Sequence, residues 1–435
     1  MNRSMRVLYV ADSIYWITAA IARRIWRFNP WIEPGLLTAG SLRLLLNASN
    51  DRLPFPVDVV HFLTPHLATE FRDVVSAHAA VVATIHHIED EASTEPAQAA
   101  DAIMTVCDQW HNALIAGGIP AEKCVKIRNT VNPAIFQPAS AQERGRIRRR
   151  FGIPQDAICI GFSGKRSSNT HGRKGIETFL EAAKLLADSG ESICLAITGP
   201  GWNDVAEDFR ARGVQLVYVP FVLDEGDLAA FYRMLDLYWV TSRIEGGPVP
   251  LLEAMASGVC CLSTPVGTAL EAIEDGANGQ ILPHDDAPAF AEASRRLIAN
   301  PALRQRMRSA ARQTILQDFD MADSVSSARE LYLLALRNFD LRCGESNLVD
   351  AHPSWSEGIL KDLPSDLLRR IAAYHHLEFM RFLQNVGATK AARRIALRAL
   401  CSAPMNAETW RNVYNILPGG ARIKRLLWPF ISSAN

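Results

Sequence analysis

The stretch Trp239 to Gly258, WVTSRIEGGPVPLLEAMASG, decides the reading of this chain. An apolar, strand-like run ends at Ser242, a loop carries Glu245-Gly246-Gly247, and Pro248 stands where a helix would open, since proline suits a first helical turn. The two glycines let backbone approach a ligand, and the N–H groups of a new helix would face it, so the junction reads as an anion pocket. Glu253 falls in the second turn of that helix. Side chains lean toward a helix N-terminus, which brings its carboxylate toward the same pocket as Glu245. Two acceptor-only groups beside a phosphate site suit a ligand rich in hydroxyls, with the carboxylates taking sugar and ribose hydroxyls and the helix holding a diphosphate. By spacing alone, the pair also fits a solvated loop glutamate and a surface helix glutamate.

Outward from this stretch, strand-like runs alternate with helix-period segments. They lie at Ala157 to Phe162, Ile193 to Thr198, Val214 to Val219, Leu237 to Thr241, Val259 to Ser263 and Gln280 to Leu282, which predicts a six-stranded Rossmann-like sheet. The first half offers strands at Arg6 to Val10, Asp58 to Phe62, Ala80 to Ile85, Ala102 to Val106 and Cys124 to Arg128. Between the halves, AQERGRIRRRF (Ala141 to Phe151) reads as a solvated helix closing the first unit. Past about Asp340 the β signal stops and prolines punctuate helical patterns. The organisation predicted is α/β: a doubly wound domain over 1–150, a second over 151–340, and a helical appendage over 341–435.

At 435 residues the chain is long enough for two cores. Lys plus Arg (46) balance Asp plus Glu (46), so no overall field favours nucleic acid. No apolar run reaches the ~20 residues of a membrane helix, and Met1 to Arg6 leads directly into a strand, so a cytoplasmic protein is expected. The eight cysteines show no C-x-x-C spacing, and several lie in apolar runs such as Ile158-Cys159-Ile160, which reads as reduced core thiols.

Glu245 to Glu253 is an E-x7-E motif, and its surroundings agree in order. Gly161 to Lys165 comes first, then Lys174-Gly175, Ile197-Thr198-Gly199-Pro200-Gly201, the E-x7-E loop, Gly258-Val259, Pro265 to Thr268 and Asn278-Gly279. Ile127 to Asn132 with Phe136 completes the set in the first half. Taken together, over roughly residues 5 to 337, the chain resembles the retaining GT-B glycosyltransferases of the group 1, or family 4-like, class.

That resemblance implies two Rossmann-like domains facing across a cleft, a nucleoside diphosphate sugar as co-substrate, and no cofactor or metal. It implies Glu245 by the transferred sugar, Glu253 on the ribose, and Thr268 near the diphosphate, with Gly164, Gly199, Gly246 and Gly247 lining the donor. Leaving-group charge calls for cations. Lys174 matches the family's lysine, whereas its arginine position falls on Lys165, or on Arg166 if the turn shifts by one. His86 aligns with the histidine the family sets beside the donor sugar and ranks above His87. Pro220-Phe221-Val222 would border the base. Asp12-Ser13-Ile14-Tyr15-Trp16 replaces a glycine-rich loop and suggests a particular acceptor (a glycan, a sugar or lipid-linked saccharide, or a small molecule), the aromatics either stacking on a sugar or anchoring the following helix.

The histidine and acid cluster after Ile85 and the D-x-D at Asp318 to Asp320 do not read as metal sites, because adjacent strand histidines diverge and the acids lie between helices. Over 390–435, eight basic residues face Glu408 alone. This segment reads either as a basic face on an anionic membrane or as a packed bundle with a solvated basic side. Rivals to transfer are a sugar-nucleotide epimerase of the same fold, a silent sugar-nucleotide scaffold, and an NAD-linked oxidoreductase. The last lacks G-x-G-x-x-G.

Overall fold

The computed structural model describes residues 4–14, 17–89, 94–167, 172–202, 204–219, 222, 224–320, 326–343, 360, 363, 365–385, 389–402, 409 and 413. Among them are two six-stranded parallel sheets. The first comprises β1 (Met5–Ala11), β2 (Ile32–Thr38), β3 (Val59–Phe62), β4 (Ala80–Ile85), β5 (Ala102–Thr105) and β6 (Cys124–Lys126), in the order β2-β1-β3-β4-β5-β6. The second comprises β7 (Ile158–Ser163), β8 (Ile193–Thr198), β9 (Gln215–Val219), β10 (Leu237–Val240), β11 (Cys260–Ser263) and β12 (Gly279–Ile281), in the order β12-β11-β10-β7-β8-β9.

Every strand of the second sheet was legible as an apolar run because helices cover both faces. Alternate residues serve different cores. Cys159, Cys194, Ala196, Tyr238 and Cys261 join one apolar cluster, and Ile160, Leu195, Ile197, Trp239 and Leu262 the other. The first sheet contained one strand the sequence hid. In β2, Glu33-Pro34-Gly35 interrupts the pattern, and the strand survives because it lies at the sheet edge, where a proline costs no ladder bond on its open side.

The chain folds into two compact units that do not follow the division at 150 and 340. One unit holds Met1–Met104, Gly118–Val125 and Ser327–Asn435; the other holds Thr105–Gly117 and Lys126–Ser326. The long helix Ser326–Cys343 belongs to the first unit, where Tyr332 joins a buried chain of hydroxyls and imidazole. Its hydroxyl bonds His61 Nδ1 at 2.9 Å and donates to Tyr9 at 3.0 Å, while His61 Nε2 meets Thr84 at 2.8 Å. Farther along, Arg342 binds Asp101 at 2.9 Å. The described helices of the C-terminal segment, Ser365–Asn385 and Thr389–Ser402, also belong to this unit, and His375 accepts the Thr38 N–H at 3.3 Å.

The charged helix Ala141–Arg150 corrects the reading as a solvated segment closing the first unit. It lies in the second unit, and Arg148 is 1% exposed, paired with Asp236 at 3.2 Å. Arg144 binds the same carboxylate at 2.8 Å, and Asp236 also accepts the Cys159 N–H. A polar helix is thus bolted to the start of β7 and β10 through one buried acid. The cysteines are unpaired, six of the eight being buried. Among the described residues no helix is long and apolar enough to cross a membrane, and no group of three His, Cys, Asp or Glu could hold a metal ion.

Candidate nucleotide-sugar site

In the second sheet the chain runs from β7 outward to β9, then crosses back to place β10 against β7, pairing Leu237 with Ile160. Strand order therefore reverses between β7 and β10. In open parallel sheets, ligands bind beyond the carboxyl ends of the strands at such a reversal. The residues there are Gly164 and Lys165 after β7, and Thr241 to Gly247 after β10.

Glu245 lies in the loop after β10, 8% exposed. Its Oε1 accepts the Ser242 hydroxyl at 2.9 Å and pairs with Lys174, while Oε2 lies 3.6 Å from the Arg173 guanidinium. Burial alone would push this carboxyl up, but Lys174 and Arg173 together hold it below its ordinary range, so Glu245 is a carboxylate at neutral pH. Lys174 is therefore a partner of Glu245 as well as a nearby cation.

Glu253 is 6% exposed, in the second turn of the helix Val249–Ala256 as its spacing required. The hydroxyl of buried Tyr232 donates to its Oε2 at 2.8 Å. Burial, and then the Glu253 charge, push the Tyr232 phenol well above its usual range, so it remains a donor.

The start of this helix departs from the anion pocket drawn from sequence. Val249 donates its N–H to Gly247 at 2.7 Å, Leu251 donates to Pro248 at 2.8 Å, and Pro250 has no N–H. The first turn thus satisfies itself, and what remains for an anion is the dipole. At the other end, Arg312 donates to the Ala256 carbonyl and Arg308 to that of Gly258, fixing the helix axis.

The glycines matter through contact. A Cβ on Gly247 would lie 2.4 Å from Asn129 Nδ2 and 2.6 Å from Thr268 Oγ1. Gly267, at φ +45, sits with its Cβ direction 1.8 Å from the Gly246 carbonyl, and Gly199, at φ +118, points at the Gly164 carbonyl at 2.3 Å. Thr268 is buried, its N–H donates to Gly246 at 3.1 Å, and its hydroxyl has no hydrogen-bond partner among the described residues. The two turns after β10 and β11 therefore touch backbone to backbone, with Thr268 beside Gly247.

Of the two residues proposed for the family's arginine position, Arg166 is engaged elsewhere: it pairs with Asp204 at 2.5 Å and donates to Gly201. Lys165 lies directly beyond Gly164 in the same turn. His86 follows β4 in the first unit, where its Nε2 bonds the Leu63 carbonyl at 2.9 Å and burial lowers its basicity. His87 turns to Glu89 at 2.9 Å. Of the D-x-D acids, Asp318 ends the helix Pro301–Asp318, and Phe319 is core. Tyr15, Trp16, Asp90, Pro220 and Phe221 lie outside the described residues, as do most of the basic side chains of 390–435.

Residues of the first half complete this loop although their sequence position gave no sign of it. The Trp110 indole N–H donates to the Glu245 carbonyl at 2.7 Å, Gln109 accepts the Gly267 N–H at 2.6 Å, and Asn129 donates to Gly247 at 3.2 Å. Arg173 and Tyr232 were equally unassigned. Arg173 could have been found from its place beside Lys174, whereas nothing local marks Trp110, Gln109 or Tyr232.

The chain is similar in sequence and in fold to known proteins. Residues 143–314 match the family model "Glycosyl transferases group 1". The amylovoran biosynthesis glycosyltransferase AmsK of Erwinia amylovora is 27% identical over 318 residues, covering 64% of this chain and 74% of AmsK. The putative glycosyltransferase EpsD of Bacillus subtilis (strain 168) is 27% identical over 207 residues, 46% of this chain and 52% of EpsD, so the match spans about half of that relative. Among solved structures, Anabaena HepE in complex with UDP-glucose superposes with a TM-score of 0.61 at 18% identity, covering 75% of this chain and 98% of HepE. The chain therefore has the GT-B-type fold of two parallel α/β units and carries, over residues 143–314, a glycosyl transferases group 1 domain.

Proposed function

We propose that the protein transfers a hexose from a nucleoside diphosphate sugar to an acceptor hydroxyl, with retention at the anomeric carbon and without a metal. The observation that carries the reading is the pair Glu245 and Glu253. Both are buried, they close the two ends of one loop and helix turn at the strand-order reversal, and Lys174 is paired to the first. The UDP-glucose complex of HepE, which shares the fold, makes a UDP-sugar the first donor to try.

In this reading Glu245 accepts from hydroxyls of the transferred sugar and Glu253 from the ribose. Lys165 and Lys174, with the buried Thr268 hydroxyl, meet the diphosphate. As the bond between the anomeric carbon and the diphosphate oxygen breaks, the acceptor oxygen bonds that carbon on the same face, and its proton passes to the leaving diphosphate. No carboxylate attacks, unlike a retaining glycosidase. His86 serves the same reaction, so its replacement lowers turnover. The acceptor hydroxyl belongs to a glycan, a lipid-linked saccharide or a small molecule, and the process is read as cell envelope polysaccharide biosynthesis. The enzyme works in the cytoplasm, and the basic segment 390–435 is either a packed bundle with a solvated basic side or a peripheral contact with the anionic inner membrane face.

A thermal-shift screen against UDP, GDP, ADP and their sugar conjugates, without metal, tests this reading with Glu253→Ala as control. A shift with one nucleotide that the variant abolishes is expected. No shift with any nucleotide would overturn the donor assignment. Release of free nucleoside diphosphate only in the presence of acceptor separates transfer from epimerisation.

A further inference from the structure

The carboxylate assigned to ribose is held by a group that spacing could not reveal. Tyr232 ends the helix Glu225–Arg233 and is 1% exposed, wedged edge-on against Phe136, Phe231 and Tyr238 at centroid distances of 6.0, 5.4 and 5.7 Å. Three rings pack against its own, and its hydroxyl meets Glu253 Oε2 at 2.8 Å. The carboxylate itself stands on a helix whose far end is clamped by Arg308 and Arg312. Helix and hydrogen bond thus restrain the carboxylate before any ligand arrives. A carboxylate that must accept from two vicinal hydroxyls gains from such preorganisation, because its rotamers need not be sorted on binding.

Building on the proposed role of Glu253, we infer that Tyr232 is a positioning residue for nucleotide recognition: its hydroxyl sets the Glu253 carboxylate in the orientation that reads the ribose. Tyr232 touches no ligand and acts through Glu253. Its loss should therefore be felt only by ligands that carry the ribose hydroxyls.

The experiment is calorimetric titration of the full-length protein with UDP, GDP and ADP. The tightest binder is carried forward with its 2′,3′-dideoxy counterpart, against wild type, Tyr232→Phe, Glu253→Gln and the double variant. Tyr232→Phe should weaken the ribonucleotide by roughly tenfold, the scale of one hydrogen bond to a charged group, and leave the dideoxynucleotide within about twofold. In the Glu253→Gln background the same change should add little. An equal loss for both ligands would make Tyr232 merely structural and overturn the inference while nucleotide binding stands. Wild-type protein that binds both ligands equally well would refute the ribose role of Glu253 and the inference with it, and no binding of any nucleotide would refute the donor site as a whole. If Tyr232→Phe folds poorly, Phe136→Leu, which loosens the ring against Tyr232 and keeps its hydroxyl, decides the matter: a loss confined to the ribonucleotide supports the inference, and unchanged affinity or an equal loss for both ligands overturns it.

Discussion

Lys174→Met probes the electrostatics of the site without any ligand. It removes one of two cations from a carboxylate whose side chain is 10% exposed. Opposite charges about 4 Å apart attract by ~4 kcal/mol at the effective dielectric of ~20 that suits protein sites. Arg173, 3.6 Å from the other oxygen, stays and recovers part of this. We expect a net loss of about 2–3 kcal/mol at pH 8, below the ~3–5 kcal/mol of a wholly orphaned buried charge. For a unit of this size that lowers the melting temperature by roughly 5–10 °C.

The pH dependence carries the stronger test. In the wild type Glu245 sits below its ordinary value of 4.5, so its contribution is present above that value and fades as pH falls through the folded one. In the variant, burial is less opposed and the carboxyl rises. Folding then takes up a proton on acidification, and the deficit against wild type shrinks between pH 8 and pH 5. Calorimetric scans of both proteins at the two pH values read this directly, and adding Glu245→Gln should restore most of the loss. A deficit under about 0.5 kcal/mol, or one equal at both pH values, would refute the buried pair.

Three other expectations follow from the packing. His61, whose burial lowers its pKa from 6.5 to about 3, must stay neutral between Tyr332 and Thr84. The unfolded chain takes the proton first, so stability falls as pH drops below 6.5, and His61→Gln should flatten urea-unfolding stability between pH 7.5 and 5 by about 2 kcal/mol. Asp236→Asn leaves Arg148 buried without a counter-charge and should cost about 3–5 kcal/mol by chemical denaturation. Gly267→Ala forces a Cβ onto the Gly246 carbonyl at positive φ; it should cost about 1–3 kcal/mol, and nucleotide-induced thermal shifts should vanish with it.

Sequence alone determined the second sheet almost strand for strand, because parallel strands covered on both faces must be written as short apolar runs. It determined the E-x7-E segment for a related reason. A strand end, two glycines, a proline-led helix and two carboxylates form a local unit whose geometry follows from backbone rules over a dozen residues. β2 escaped because an edge strand can carry a proline that a central strand cannot.

What only tertiary structure decided is which distant residues share a neighbourhood. The helix Ala141–Arg150 reads as solvated until Asp236, far along the chain, supplies the buried charge that accepts Arg148. Trp110, Gln109 and Asn129 grip the glycine turns of the second unit although the sequence places them among first-half strands, and the helix Ser326–Cys343 joins the first unit through Tyr332 and Arg342. A single side chain bonded to a remote carbonyl leaves no periodicity and no spacing. Its partner is selected by the folded backbone, and so the loop that carries the two carboxylates could be read from sequence while the groups that hold it in place could not.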